Sequence, residues 1–389
     1  MSVRGLTGAA LCLLFATPAS ADQFDWSATS RLRFESVSQD NALSDADALT
    51  GQLRAGFTWT LVEDWTVLAD VEAVFDLAGD YNNLTNGDSG FSVVADPDGT
   101  ELNRVQLSYS GLEKTKVTLG RQRIKLDNDR FIGNVGWRQN EQTFDGLTVS
   151  SAALENTVIT AGYLTRAHRI LGDDHPNGNI DLAAPIVNVK YSGIANTTIV
   201  GYGYFLDFED NQANSHKTLG LRASHASSLV SVPIRLGVEY AKQTPYRNGS
   251  DANDADYLRV EASVTLKPVT FSAGQETLSG DGVYGFQTPF ATGHAFNGWS
   301  DVFLATPANG VEDGFLAVAA KVAGTNLKAV RHSFSADTGG IDYGTEINLI
   351  ATRKFNESLS GGLKLASYQA RDFAVDTDKL WLFATWKWQ

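Results

Sequence analysis

The sequence predicts an all-β protein: a closed transmembrane barrel of about 18 antiparallel strands, with 16 strands as the alternative. Three observations lead to this fold class. The last ten residues, 380–389, alternate between two faces and include three tryptophans. Segments in which every second residue is apolar recur along the chain, separated alternately by tight turns and long polar loops. No stretch after residue 21 has the length and hydrophobicity that a membrane-spanning helix needs.

The chain begins with a segment that has the features of a secretory signal. Arg4 supplies a positive charge, residues 9–16 form a short apolar run, and Ala19 to Ala21 are small residues suited to cleavage. The only Cys of the chain, Cys12, lies inside this segment. We therefore predict that residues 1–21 are a signal peptide. Residues 22–389 are then expected to form one barrel in the bacterial outer membrane.

The strands are predicted from apolar residues at every second position. In residues 65–77 every odd position is apolar, whereas Asp70, Glu72 and Asp76 lie on the opposite face. Residues 234–240 and 257–266 repeat this pattern. We expect tight turns near residues 62, 112, 153, 194, 229, 267, 324 and 356. We expect long loops at 79–100, 123–142, 168–183, 244–255 and 279–313, and short turns on the periplasmic side.

The aromatic last strand is typical of an outer-membrane barrel. Its Trp386 and Trp388 share the predicted lipid face with Leu380, Leu382 and Ala384, and Trp59 and Trp65 flank the first tight turn in the same way. Such a strand closes the sheet, so lipid and the barrel-assembly machinery are the expected partners. The alternative is an edge strand of a soluble β-sandwich.

Composition excludes some classes of function. The chain carries 31 basic and 45 acidic residues, a formal net charge of −14, so it lacks the basic surface of a nucleic-acid binder. The sequence does not determine an oligomeric state.

Two long polar segments resemble one known family. Residues 119–146 contain Arg121, Arg123, Arg130 and Arg138, and residues 294–313 begin with His294 and include Trp299. Both are similar to stretches of the alginate-export-like outer-membrane porins, and the resemblance implies an outer-membrane porin. Family members that export the polysaccharide carry a plug on a late periplasmic turn. The corresponding turn here, residues 355–358, is too short to form one.

The expected function is passive diffusion of polar, anionic solutes, of uronate or oligosaccharide type, through an arginine-lined lumen. A loop folded into the pore would offer Arg121, Arg123, Arg130 and Arg138 as a basic constriction. Arg121 and Arg123 lie two and four residues after Leu119 and would therefore share its lipid face. The strand must end or bulge near Gly120 to turn them inward. Alternatively, these charges pair with Asp127, Asp129 and Glu141 and merely hold the loop. The predicted lumen wall carries Arg54, Arg104, Arg222, Arg235 and Arg259.

Three other functions stay open. A dedicated exporter of an acidic polysaccharide such as alginate would need a plug and a periplasmic partner. A barrel-embedded hydrolase could use the loop triplet Asp173, Asp174 and His175, and a purely structural barrel would not conduct. No catalytic residue, cofactor or metal site is predicted, because no phosphate-binding glycine loop, zinc spacing or nucleophile elbow occurs.

Overall fold

The computed structural model describes residues 24–388, which form one closed sheet of 18 antiparallel strands. The predicted fold class and the count of 18 are confirmed, and the alternative of 16 is wrong. The predicted signal peptide and Gln389 lie outside the described residues. The strands are β1 (Phe24–Gln39), β2 (Ala46–Val62), β3 (Trp65–Asp80), β4 (Gly99–Leu112), β5 (Thr115–Gln122), β6 (Thr143–Ser151), β7 (Thr157–His168), β8 (Asn179–Ile194), β9 (Thr197–Phe208), β10 (His216–Leu229), β11 (Val232–Pro245), β12 (Ala255–Leu266), β13 (Val269–Leu278), β14 (Val311–Val322), β15 (Thr325–Ser335), β16 (Asp342–Lys354), β17 (Leu359–Ala370) and β18 (Thr377–Trp388).

The sheet closes because β1 pairs with both β2 and β18. The β1–β18 seam runs in register from Ala28 opposite Trp388 to Gln39 opposite Thr377. Closure leaves neither of these strands with an unpaired edge. In the described part of the chain, short 3₁₀ helices lie in two of the loops, at Gln212–Asn214 and Gly293–Ala295. Among residues 24–388 no helix is long and apolar enough to cross a membrane.

The two ends of the barrel differ in the length of their connections. At one end, here called the turn end, two to five residues join each pair of strands, as between Val62 and Trp65 or Lys354 and Leu359. The opposite end, here called the loop end, carries the long connections, including residues 123–142 and 279–310. This alternation was predicted, and the turn end also carries Phe24 and Trp388.

The outer face of the wall is apolar around the barrel. Leu119 and Leu147, opposite each other on β5 and β6, are both exposed. Trp59 and Trp65 are exposed beside the first turn, and the Trp65 ring centroid lies 4.7 Å from that of Tyr109. This is the arrangement of an interfacial aromatic girdle, as the sequence predicts.

Two loops fold into the lumen. Residues 123–142, the constriction loop, and residues 279–310, the second inner loop, meet at a bridge between Ile132 and Phe290. Phe131 packs on Tyr257 of the wall and on Phe286 of the second inner loop. A hydrophobic core therefore lies inside the barrel and fixes both loops to its wall.

Gly120 lies where β5 is about to leave the wall. Its φ is +113°, and a Cβ built there would lie 2.4 Å from the carbonyl oxygen of Val105 on β4. The predicted end of the strand near Gly120 is confirmed, since β5 ends at Gln122. No bulge occurs, because the pairing with β4 and β6 continues in register through Gly120 and Arg121. Only a residue without a side chain fits both this backbone conformation and this contact.

Gly120→Ala is expected to lower the free energy of unfolding by about 1–3 kcal/mol, because it forces strained backbone against β4. Urea unfolding of the folded barrel in detergent micelles measures this. Gly314→Ala is the matched control, since its Cβ would lie 3.9 Å from the nearest atom, the oxygen of Ser333. Equal free energies for the two variants would contradict the argument.

Candidate functional site: the constriction of the lumen

The constriction loop crosses the lumen and is tied down at three places. It leaves β5 beside an ion pair between Arg123 and Glu141, which joins its two ends. Its middle reaches β13, where Arg130 contacts Glu276. Its last third returns to the seam, where Arg138 contacts Glu35 of β1. The loop is therefore held by charge at both walls as well as by the hydrophobic core.

Glu276 is the anchor on β13. It is fully buried, and its Oε1 lies 2.8 Å from Nε of Arg130. Arg259 of the wall approaches its Oε2 at 3.3 Å, and Asn297 donates to the same oxygen at 2.8 Å. The Tyr257 hydroxyl donates to Oε1 at 2.7 Å. One carboxylate thus holds both inner loops and balances the buried guanidinium of Arg130 and the partly exposed guanidinium of Arg259.

Arg138 joins the two inner loops at the seam. Its Nη1 lies 3.0 Å from Glu35 Oε2, and its Nη2 lies 3.0 Å from Asp301 Oδ2 of the second inner loop. Lys379 of β18 lies 3.1 Å from the same Asp301 oxygen. Arg33 of β1 adds a contact to Asp96, in the loop between β3 and β4. This buried network connects both strands of the seam to the loops inside.

Lys364 of β17 lies beside this network in an aromatic cage. Its Nζ lies 4.2 Å from the ring centroid of Trp137, 4.0 Å from that of Trp299 and 5.3 Å from that of Trp381. Only 4 % of Lys364 is exposed. Cation–π attraction replaces the water that a buried ammonium loses. The cage fixes one tryptophan from each inner loop to the wall.

His294 completes the cage as a neutral ring. Burial lowers its pKa to about 3, with the Lys364 ammonium acting in the same direction and the Asp301 carboxylate opposing it. Its Nδ1 donates to Asp301 at 2.6 Å, and its Nε2 accepts from Lys364. The two ring nitrogens therefore link a buried carboxylate to a buried ammonium.

The ion pairs along the β2–β4 wall share one geometry. Side-chain exposure is 20 % for Arg54 against 4 % for its partner Glu72, and 19 % for Arg104 against 5 % for Asp70. At the base of the constriction loop it is 32 % for Arg123 against 1 % for Glu141. In each pair the carboxylate is buried and the guanidinium reaches the water of the lumen.

The remaining predicted wall residues also point inward. Arg222, Arg235 and Arg259 alternate with outward apolar residues on β10 to β12, and Glu239, the partner nearest Arg222, is buried. Lys190 and Lys328 lie on the same inner face, and neither forms an ion pair within residues 24–388. The exposed charge of this wall is therefore mostly basic as well.

Arg121 requires a correction, because it does not line the lumen. It lies opposite Val105 of β4 and Asp145 of β6 on the outer face. Its Nε lies 3.0 Å from Asp145 Oδ1, and its Nη1 donates to the Leu102 carbonyl at 2.8 Å. A carboxylate in register on the next strand thus compensates the outward arginine.

The predicted partners within the loop are also partly wrong. Of Asp127, Asp129 and Glu141, only Glu141 pairs with a loop arginine, since Asp129 pairs with Lys125 and Asp127 accepts from Asn188. Arg130 and Arg138 bind carboxylates of distant segments and are almost fully buried, so they hold the loop in place.

The ionised carboxylate of Glu141 stabilises the constriction loop over a defined range of pH. Burial alone would raise its pKa, but the Arg123 hydrogen bond and the charges of Arg54 and Arg123 lower it to about 2. A carboxyl whose pKa is lower in the folded than in the unfolded protein contributes stability above its unfolded pKa. That contribution is lost as the pH falls through the folded value.

The single-channel conductance is therefore expected to stay constant from neutral pH to about pH 4 and to become noisy only near pH 2, where Glu141 is protonated and releases Arg123. Planar-bilayer recordings across this range measure it. Glu141→Gln is expected to show the noise already at neutral pH. Gating at pH 5 to 6, shared by both proteins, would rule out this carboxyl as the origin.

The triplet considered for hydrolysis forms a loop turn. His175 Nδ1 accepts the backbone N–H of Asn177 at 3.0 Å, and Asp173 accepts from the Asn179 amide at 2.7 Å. In residues 24–388 neither Asp173 nor Asp174 contacts the His175 ring, so no orienting carboxylate supports it as a general base.

Several residues of the site were not predicted from the sequence. Arg31 and Arg33 alternate with Leu32 and Phe34 on β1, and this alternation could have placed them on the inner face. Lys364 follows the exposed Leu363 on β17, and this alternation could have placed it on the inner face, but nothing in the sequence indicates its cage. The contacts of Arg31 with Gly136 and Gln139 likewise depend on the path of the loop.

Solved outer-membrane porins share this fold. Acinetobacter baumannii OccAB2 matches with a TM-score of 0.75 and 14% identity, covering 95% of this chain and 99% of its own. Pseudomonas aeruginosa OpdK, solved with vanillate, matches with a TM-score of 0.73 and 15% identity, covering 94% of this chain and 98% of its own. Pseudomonas aeruginosa OpdQ matches with a TM-score of 0.71 and 15% identity, covering 94% of this chain and 99% of its own.

At these identities the likeness concerns the fold, the closed 18-stranded barrel of outer-membrane porins. No family model and no curated protein matches the chain. The solved structures support a porin fold and give no support to membership of the alginate-export-like family.

Proposed function

We propose that the protein is a passive, anion-selective channel of the bacterial outer membrane, through which polar organic anions diffuse down their gradients. One observation carries the proposal. Arg54, Arg104 and Arg123 reach the water of the lumen, while the carboxylates that they contact are buried behind them. A passing solute therefore meets guanidinium groups first.

Burial on the inner wall separates the two signs of charge. Glu35, Glu72, Glu276 and Glu346 are buried beneath the inner loops, whereas Lys190, Arg235 and Lys328 remain exposed. Glu261, which is 38 % exposed beside Arg259, is an exception. A lumen whose exposed charge is mostly of one sign concentrates counter-ions and disfavours ions of like charge. The net charge of −14 does not oppose this, because selectivity depends on the side chains along the path.

The mechanism involves no covalent step. A carboxylate solute exchanges part of its hydration shell for one guanidinium after another, and the partly compensating buried acids keep each contact weak enough for release. The turn end faces the periplasm in this proposal and the loop end faces outward. Uronates and acidic oligosaccharides are the first solutes to test, since the alginate-export-like resemblance motivates them.

Two alternatives have less support. A gated polysaccharide exporter would need a periplasmic plug, and the turn between β16 and β17 has only four residues, 355–358. A barrel hydrolase would need an oriented base, and His175 has none within the described residues. Export coupled to a partner protein would favour the polysaccharide exporter. Ester or peptide hydrolysis that His175→Ala abolishes would favour the barrel hydrolase.

The reversal potential of the refolded protein in a planar bilayer under a KCl gradient tests the proposal. We expect anion selectivity, and we expect Arg54→Gln combined with Arg123→Gln to reduce it, because two exposed positive charges are lost and the buried charges of Glu72 and Glu141 are left uncompensated. The matched control neutralises Arg166, which lies opposite Asp145 of the outer face, and Arg247, an exposed residue of the loop between β11 and β12, and should leave the reversal potential unchanged. Cation selectivity of the wild type would overturn the proposal.

A further inference from the structure

A second cavity lies at the loop end, apart from the constriction. Three segments form it: the loop after β7, the loop between β9 and β10, and the first part of the second inner loop. Its volume is about 450 Å³, within the ~300–1,000 Å³ typical of ligand pockets. Arg169, Asn179, His216 and Tyr284 contribute to its lining.

Arg169 is the unusual member of this lining. Among residues 24–388 its guanidinium forms no ion pair, and its Nε is buried without a hydrogen-bond partner. Burial lowers the pKa of Arg169, and no neighbouring carboxylate opposes that effect. The lumen arginines Arg54, Arg104 and Arg123 all have carboxylate partners. Arg169 is half-buried, but its Nε is fully buried and unpaired, so an anion in the cavity stabilises this guanidinium.

The rest of the lining indicates what else the anion carries. Ile180, Phe208 and Tyr284 provide apolar and aromatic surface. The amide oxygen of Asn179 is buried and accepts no hydrogen bond within the described residues, so a donor on the ligand is required there. Asp210, also in the lining, disfavours a second negative charge.

We propose that this cavity is an external binding site that captures monoanionic hydroxy acids with an apolar or aromatic body before they enter the constriction. The guanidinium of Arg169 binds the carboxylate of the ligand, and Asn179 Oδ1 accepts a hydrogen bond from its hydroxyl group. Phe208 and Tyr284 pack on its apolar or aromatic part. This inference rests on the proposed function for the fate of the captured anion.

Calorimetric titration of the folded, full-length protein in detergent with 4-hydroxybenzoate tests the site. We expect saturable binding that Arg169→Gln weakens at least about ten-fold, the loss of a charged hydrogen bond. 4-Hydroxybenzyl alcohol, which lacks the charge, should bind the wild type as weakly as 4-hydroxybenzoate binds the variant. Benzoate, which lacks the hydroxyl, should bind less tightly than 4-hydroxybenzoate.

Two further variants keep the test decisive. Arg247→Gln changes an exposed arginine of another loop at the same end and should bind like the wild type. Asn177→Trp fills the cavity from an exposed position, leaves Arg169 in place, and should abolish binding. Equal affinity of wild type and Arg169→Gln, or no saturable binding by the wild type, would overturn the site.

The same preparations separate this inference from the proposed function. Arg169 lies at the loop end, so Arg169→Gln should leave the KCl reversal potential of the wild type unchanged. Intact binding in a cation-selective channel would contradict the proposed function alone. Anion selectivity without binding of 4-hydroxybenzoate would contradict only the capture site.

Discussion

Removal of residues 124–140 is expected to raise the single-channel conductance several-fold and to shift the selectivity towards cations. The constriction loop fills the middle of a wide 18-stranded barrel, so its loss opens the path. It also removes Arg130 and Arg138, leaving Glu276 and Glu35 of the wall facing water. A short glycine–serine linker between Arg123 and Glu141 preserves the ion pair at the loop base.

Conductance and reversal potential in planar bilayers measure both changes. The control shortens the loop between β11 and β12, residues 246–254, which supplies none of the ion-pair anchors of the constriction. It should leave both values near those of the wild type. Unchanged conductance after removal of 124–140 would mean that this loop does not limit the channel.

Glu276→Gln is expected to lower the free energy of unfolding by about 3–5 kcal/mol, because it leaves the buried guanidinium group of Arg130 without a counter-charge and removes one of the two carboxylates that contact Arg259. The same change should increase the current noise, since Arg130 is the anchor of the loop on β13. Urea unfolding in micelles and bilayer recordings measure the two effects.

Glu261→Gln is the matched control on the neighbouring strand. Glu261 also contacts Arg259 on the inner face, but 38 % of its side chain is exposed. Water replaces most of that interaction, so the loss is expected to stay within about 1 kcal/mol. Equal losses for the two variants would contradict the view that burial of Glu276 makes it the anchor.

The wall of the barrel was predictable because its chemistry is local. Each strand must be apolar at every second residue to face lipid, and Trp65, Val67 and Val71 show that parity without any knowledge of their neighbours. The tight turns follow from the same pattern. The inner position of Arg54 and Arg104 was therefore predicted from sequence parity alone.

The contacts of the loops were not predictable because their partners are distant in sequence. Arg138 binds Glu35, 103 residues away, and Arg130 binds Asn297, 167 residues away. Arg121 shows the same limit on the wall itself. Its parity indicated the outer face, and only the register that places Asp145 beside it explains how that arginine is tolerated there.

The network around Arg138 has a consequence for the order of assembly. The first and last strands meet at the seam, and Glu35 on one side and Lys379 on the other are held by the same pair, Arg138 and Asp301. The two inner loops thus link β1 to β18 from inside the barrel. These contacts can form only after β18 has paired with β1, so they stabilise the closed barrel and not an intermediate that lacks its last strand. In the closed barrel, ion pairs inside the lumen reinforce the hydrogen bonds of the β1–β18 seam.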